Sequence, residues 1–243
     1  MKILITGYQG MIGSRLYFYL ASQNKYELKG IDIVDNTGDV RTIKNTEDFD
    51  IIIHCAALTS VTESIKHPIE YKYTNFFGTC NLTNQFPNSK FIYLSTSAIY
   101  GEGVNHKENG KVNPKSPYAQ TKFDAELPLL MFTKAPLILR LSNIYGGQKG
   151  ERGVYQVFEE DDVCNIFGDG SAFRDYLHVD ELAKIIHRGF NSTGIYNVGS
   201  GNTKTVLDIA KEFNKPMKFL PERPGEIKFI SLDLTKARNE GLL

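Results

Sequence analysis

The chain has 243 residues and sets 28 Lys and Arg against 28 Asp and Glu, so no overall field exists to draw in nucleic acid or an acidic membrane surface. With 41% hydrophobic and 23% charged residues it has the composition of an ordinary globular protein, long enough for a sizeable core. The three cysteines, Cys55, Cys80 and Cys164, match no metal-ligand spacing, and so sparse and odd a set fits reduced thiols in a cytoplasmic compartment. No apolar run is long enough to cross a membrane, and the N-terminus has neither the basic segment nor the long apolar segment of a signal peptide. The expectation is a cytoplasmic protein without a metal site.

Ile3–Ile5 is a short apolar run of the kind that forms a buried strand. Glycines follow at 7, 10 and 13, and Ile12, Leu16 and Leu20 then fall on one helical stripe. Strand, glycine-rich turn and helix in that order make a dinucleotide cradle. Gly7 permits the turn, Gly10 lets backbone approach a pyrophosphate, and Gly13 lets helix and strand pack closely. The first helical N–H groups, at Met11 and Ile12, would face the phosphates. A second strand is read over Leu28–Ile33. Asp32 stands where a carboxylate holds a ribose 2′-hydroxyl, which favours NAD over NADP; Asp35 is close enough to compete for the role. Gly38, Asp39 and Val40 come so soon afterwards that little room remains for a helix. Ile51–Ile53 is a third strand leading into His54, Cys55, Ala56 and Ala57. The small residues allow a cofactor to lie against backbone, and His54 is equally readable as a packed core residue.

Residues 69–86 read as one long helix containing Asn75. Phe91–Leu94 is a fourth strand that ends in hydroxyl side chains, at the edge where open α/β sheets bind ligands. Tyr118 and Lys122 stand four apart and share a helix face. An ammonium beside a phenol lowers its pKa and lets it exchange protons with a sugar or alcohol hydroxyl near neutral pH. The same spacing also suits an ordinary amphipathic helix. Pro128 should kink or end that helix. Leu137–Leu141 is the next strand. After Tyr145 the chain reads as irregular and charged up to Phe173. Residues 175–190 read as a loop and then a helix, with Leu182, Ile185, Ile186 and Phe190 on one stripe. Ile195–Val198 reads as a strand returning to the main sheet.

Together these segments resemble the extended short-chain dehydrogenase/reductase family, in its nucleotide-sugar epimerase/dehydratase branch. The matching stretches run in order: TGYQGMIG at 6–13, Asp32, GDV at 38–40, HCAA at 54–57, Asn75 with GTCNL at 78–82, STSAIYG at 95–101, YAQTK at 118–122, RLSNIYG at 140–146, FGDGSAFRDYLHVDE at 167–181, YNVGSG at 196–201 and RPGE at 223–226. The resemblance implies an α/β fold, a Rossmann-type doubly wound parallel sheet with a small, shortened C-terminal substrate-binding lobe. Residues 1–145, with 176–198 returning to them, would bind NAD; 146–175 and 199–243 would form the lobe. It implies Thr96, Tyr118 and Lys122 as the catalytic triad. Gly7, Gly10, Met11, Ile12, Asp32, Asp39, Val40, Ala56, Ala57, Asn75, Tyr118 and Lys122 would hold NAD. Thr96, Asn143, Arg174 and Arg223 would hold a nucleotide sugar, although each arginine could instead form a simple surface ion pair.

In that family the two residues after the catalytic Ser or Thr help to decide the chemistry. Dehydratases resemble Thr-Asp-Glu there, decarboxylases carry a Glu at the second position, and fucose-type epimerase-reductases carry a Cys. Here the residues are Ser97 and Ala98, neither of which is an acid or base at neutral pH. The resemblance therefore implies 4-epimerisation or keto-sugar reduction; a non-catalytic dinucleotide sensor is the alternative from another class. Three stretches look shortened against the family: between Asp32 and Asp39, after Gly146, and after Asp233. A homodimer is expected, because family members pair through the helices at about 69–86 and 118–130.

Overall fold

The computed structural model describes residues 1–147, 153–222 and 227–243. The first half runs β1 (Lys2–Thr6), α1 (Met11–Ser22), β2 (Glu27–Ile31), β3 (Ile51–His54), α2 (Val61–Lys66), α3 (Pro68–Tyr71), a π-helical turn (Lys72–Phe77), α4 (Gly78–Gln85) and β4 (Lys90–Thr96). A short 3-10 turn (Ser97–Tyr100) follows, then β5 (Gly103–His106), α5 (Pro117–Asp124), α6 (Glu126–Phe132), β6 (Leu137–Leu141) and β7 (Asn143–Tyr145). The rest is α7 (Val154–Glu160), β8 (Cys164–Phe167), β9 (Phe173–His178), α8 (Val179–Arg188), β10 (Gly194–Val198), β11 (Thr203–Thr205), α9 (Val206–Glu212), β12 (Met217–Leu220), β13 (Ile230–Leu232) and α10 (Thr235–Asn239).

Six strands form one parallel sheet in the order β10-β6-β4-β3-β1-β2. Alternation along the strands feeds two cores. Ile3, Ile5, Ile51, Ile53, Ile92 and Leu94 meet Leu16 and Leu20 of α1 and Leu182 and Ile186 of α8 on one face. Leu4, Ile52, Phe91 and Tyr93 meet Leu82 of α4 and Ala125 and Leu129 on the other. The chain passes from β1 to β2 on one side and then to β3 on the other. The order therefore reverses at the β1/β3 boundary, and a crevice opens at their C-terminal ends. This is a Rossmann-type doubly wound fold. As the sequence predicts, no helix joins β2 to β3; Val40 and Phe49 cover the sheet there instead. The return of residues 194–198 to the main sheet is also as expected.

Several local expectations are corrected. β2 stops at Ile31, because the Asp32 carboxylate accepts the Val34 N–H at 3.1 Å and turns the chain, leaving Ile33 and Val34 exposed. The long helix over 69–86 is interrupted by the π-helical turn that carries Asn75. By contrast, the helix of Tyr118 ends as Pro128 leads one to expect: it stops at Asp124, whose carbonyl the proline ring would meet, and Pro128 sits in the first turn of α6, where a missing N–H costs nothing. Asp175 belongs to a strand, not a loop. The stretch expected to be irregular contains α7 and β8. Phe158, Cys164 and Ile166 bury against Ile209 and Ala210 of α9, beneath a charged exterior that masks them in the sequence. At the C-terminal end, Ala237 of α10 and Leu242 are buried in the first core. Of the smaller sheets, β8 pairs with β12, β5 with β13, and β9 with both β7 and β11.

Candidate active site

The glycine turn between β1 and α1 is a backbone cradle. Gly7 has φ +69°, a left-handed conformation that favours glycine, and its N–H donates to Ile31 O at 2.8 Å. A Cβ on Gly7 would come within 2.6 Å of Ala56 N, and one on Gly13 would overlap Gly7 O. Gly10 caps α1 without a side-chain hydrogen bond, so the first-turn N–H groups at Met11 and Ile12 are left for a ligand. The cradle thus fits a dinucleotide pyrophosphate. Asp32 accepts the Gln9 N–H at 3.0 Å and is tied directly to this turn. Asp35 is its neighbour, accepting from the Tyr8 hydroxyl and from Gln9 Nε2. Both carboxylates therefore border the cradle. Asp39 is gripped by Arg41 at 2.6–3.0 Å, and this guanidinium holds its carboxyl below the usual carboxylate range. Val40 is buried against Gly78 and presents its carbonyl to Asn81.

Across the crevice, Ala56 donates its N–H to Thr6 Oγ1 at 3.2 Å. Asn75, buried in the π-helical turn, fixes the loop just beyond Ala57. It accepts the Leu58 N–H at 2.8 Å and donates to Leu58 O at 2.9 Å and to Thr121 Oγ1 at 3.1 Å. Its side chain thereby ties the cofactor loop to α5. His54 is a core residue: its ring nitrogens meet Thr6 Oγ1 at 2.7 Å and Thr79 Oγ1 at 3.0 Å, and burial pushes its pKa down to about 3.

Ser116 caps α5 by accepting the Ala119 N–H at 3.1 Å, and Pro117 sits in the first turn. Tyr118 and Lys122 follow one helical turn apart, and α5 packs on β4 and the turn Ser97–Tyr100. Lys122 is buried, with Nζ 4.2 Å from the centre of the Tyr93 ring, and burial pushes its pKa down to about 7. Thr96 is the last residue of β4, three positions beyond Tyr93; it is half-buried, and its hydroxyl accepts the Ala98 N–H at 3.2 Å. The structure therefore gathers Thr96, Tyr118 and Lys122 around one strand end.

The proposed substrate residues are more scattered. Exposed Asn143 shares a small cavity with Met11, Tyr145, Tyr155 and Tyr176, so the helix that follows the glycine cradle and β7 meet there. Tyr145 stacks on Tyr155 with ring centres 4.4 Å apart. Asn143 is opposite Tyr176 of β9, and Arg174 lies two residues earlier on that strand. The Arg174 guanidinium donates to the carbonyls of Phe173 at 2.8 Å, of Lys228 at 2.7 Å and of Ile227, so it braces the chain around 227–228. Arg223 lies outside the described residues. The sequence reading does not single out Glu126 and Arg140, a buried ion pair whose carboxylate accepts the Ser95 hydroxyl next to Thr96. The spacing did hold a signal for Glu126, which stands four residues after Lys122.

Comparison with known proteins agrees with this geometry. The model of the NAD dependent epimerase/dehydratase family matches residues 3–199. A UDP-glucose 4-epimerase of Halalkalibacterium halodurans is 31% identical over 93% of this chain and 85% of its own. A dTDP-D-glucose 4,6-dehydratase of Dictyostelium discoideum is also 31% identical, over 87% of this chain and 61% of its own. The solved UDP-glucose 4-epimerase of Thermus thermophilus, in complex with NAD, superposes with a TM-score of 0.89 at 26% identity, covering 100% of this chain and 94% of that one. With a glycine cradle, a carboxylate beside it and a family model matching most of its length, the chain belongs to the NAD dependent epimerase/dehydratase family, of the extended short-chain dehydrogenase/reductase type.

Proposed function

We propose that the protein is an NAD-dependent nucleotide-sugar epimerase, similar in action to UDP-glucose 4-epimerases, and that it works through a transient keto sugar. The observation that carries this reading is the end of β4: half-buried Thr96 stands beside the helix of Tyr118 and Lys122, and is followed by Ser97 and Ala98 rather than by an acid and base. Elimination of water would need those extra groups. NAD, when bound, supplies a hydride acceptor that returns the hydride to the opposite face of the sugar. Tyr118 removes the proton of the sugar hydroxyl as the carbon is oxidised and returns it on reduction. Thr96 orients that hydroxyl. Lys122, in its ammonium form, favours the phenolate of Tyr118 and holds the nicotinamide ribose; burial lowers its pKa to about 7, so this charge is present below that pH and fades above it.

Met11, Ile12, Asp32, Ala56 and Ala57 line the cofactor path, with Asn75 acting through the loop it holds. Residues 1–145, with 176–198, serve the cofactor; 146–175 and 199–243 serve the substrate, through Asn143 and Arg174. The reading includes a homodimer. Val61, Ile65, Ile69, Tyr73 and Phe77, spaced four apart, are 45–72% exposed, and Leu127, Leu130 and Met131 of α6 are exposed as well. A second copy would cover such a stripe.

The test is proton NMR on the protein with NAD and a panel of nucleotide sugars, with absorbance followed at the reduced-nicotinamide band. A new anomeric signal without net cofactor reduction is expected. Stoichiometric consumption of reduced cofactor would instead identify a keto-sugar reductase, and bound NAD without turnover of any sugar would favour a sensor.

A further inference from the structure

Beneath the triad runs a chain of buried polar groups that the chemistry above leaves unused. Glu126 opens α6, one turn beyond Lys122. It is 2% exposed, and Arg140 of β6 is 3% exposed. Arg140 grips the carboxylate through Nε at 3.1 Å and Nη2 at 2.7 Å. The same carboxylate accepts the Ser95 hydroxyl at 2.6 Å. Arg140 Nη1 continues to the Tyr100 hydroxyl and to Glu108 O, each at 2.8 Å. Tyr100 in turn donates to Asn197 Oδ1 at 2.7 Å, and Asn197 reaches His106 O at 2.7 Å and Asp233 O at 3.2 Å.

Ser95 and Tyr100 bracket Thr96: one immediately precedes it and the other closes the turn that follows. A buried ion pair is weak evidence for stability, because the cost of desolvating both charges offsets their attraction. Its placement is more informative. The carboxylate joins the strand end bearing Thr96 to the start of α6, which follows α5, the helix of Tyr118 and Lys122, after Ala125 alone; the guanidinium joins both to the turn. We propose that Glu126 and Arg140 are positioning residues that hold Thr96, Tyr118 and Lys122 in mutual register. The inference rests on the reading of those three residues as the catalytic group.

The pair has an electrostatic consequence too. Lys122 faces Tyr93 of β4, His54 and Cys55 at the end of β3, Tyr118 one turn earlier on its helix, and Glu126. Burial pushes the Cys55 thiol up to about 12, raises the Tyr93 phenol, and keeps His54 neutral. Glu126 also lies close enough for its attraction to raise the Lys122 pKa against the lowering by burial. Without it, Lys122 would share the site with an unpaired Arg140.

Three variants test this in the full chain. Glu126→Gln removes the charge and keeps the shape. Arg140→Lys keeps the charge and loses the fork. The double variant Glu126→Leu/Arg140→Met removes both charges at similar volume and avoids a lone buried charge, the arrangement most damaging to folding. The ε-carbon NMR titration of lysine-labelled protein, with Lys122→Met for assignment, is followed together with NAD affinity, melting temperature and turnover of a nucleotide sugar. In Glu126→Gln the Lys122 midpoint should fall by about one pH unit. Its kcat should fall about thirtyfold or more while KM stays within about threefold. Arg140→Lys should recover part of the turnover. The double variant should keep its melting temperature yet lose turnover. A folded double variant with kcat within about twofold of the parent, together with a Glu126→Gln midpoint within about 0.2 pH unit, would overturn the proposal and leave the pair as core filling. If the parent turns over no nucleotide sugar, the functional reading fails separately. The NAD affinity of the folded double variant then decides: a loss of about tenfold or more, through a displaced Lys122, supports the positioning role, and an affinity within about twofold of the parent overturns it.

Discussion

Around Gly7–Gly13 and His54–Leu58 the buried polar contacts are neutral: Thr6 with His54, His54 with Thr79, Asn75 with the Leu58 backbone and Thr121. Around the triad they are charged: Lys122 over Tyr93, Glu126 with Arg140 and Ser95. The cofactor side needs shape and unobstructed N–H groups, which glycine and backbone supply without ions. On the reading proposed above, the side of Thr96, Tyr118 and Lys122 has to move a proton, and charges held out of water shift pKa values most. The buried contacts of one wall are therefore neutral, with its carboxylates at the exposed border, and those of the other are charged.

The largest effect should come from the charged wall. Tyr118→Phe removes the acid/base, so kcat should fall about 10²–10⁴-fold while NAD affinity, read by titration calorimetry, changes little. Joint loss of turnover and cofactor binding would mean that the two walls are not separable. Next come pH effects, which distinguish the walls by their windows. His54 is neutral in the folded chain, with a pKa of about 3, and titrates near 6.5 when unfolded. Between these values the unfolded state binds the extra proton, so this contribution is complete above pH 6.5 and is lost as pH falls toward 3. Urea unfolding at about pH 7 and about pH 4 should show wild type losing about 3 kcal/mol more than His54→Gln. Lys122 is also depressed, to about 7, so the unfolded chain holds the extra proton between about pH 7 and 10.5. Stability should rise with pH across that window, and Lys122→Met should flatten the rise.

A smaller effect is expected from packing on the neutral wall. Gly13→Ala would drive a methyl into Gly7 O, costing about 1–3 kcal/mol and weakening NAD binding. A variant that binds NAD normally would show that the helix can slide, and that the cradle is looser than its backbone contacts suggest. The smallest effect belongs to neither wall: Lys66→Ala breaks an exposed ion pair with Glu63 and should leave the urea midpoint unchanged.

The wall around the glycine cradle is the more legible in the sequence. A strand, three glycines, a helical stripe and Asp32 lie within the first 32 residues, and local spacing is enough to read them. β6 is readable with its observed limits because Leu137–Leu141 carries four leucine and isoleucine side chains between Pro136 and Ser142. The charged wall is legible only along α5, where Tyr118 and Lys122 share a face. The partner of Glu126 comes from β6, and only the sheet brings Arg140 beneath α6. Long-range pairing also hides β5, whose partner Ile230–Leu232 lies far along the chain, and the run Glu159–Asp162 disguises the buried Phe158 and Cys164 on either side of it.

The closing strand of the main sheet has a consequence for synthesis. β10 pairs with β6, yet Gly194 follows Leu141 by more than 50 residues. On the ribosome, β1–β6 can assemble while the outer edge of β6, between Leu137 and Leu141, still waits for its neighbour. At about 5–20 residues per second that edge stays open for roughly 3–10 s. A nascent chain stalled in this interval presents an apolar strand edge to its surroundings, so slow translation between β6 and β10 should raise the demand for chaperones more than equal slowing after β10.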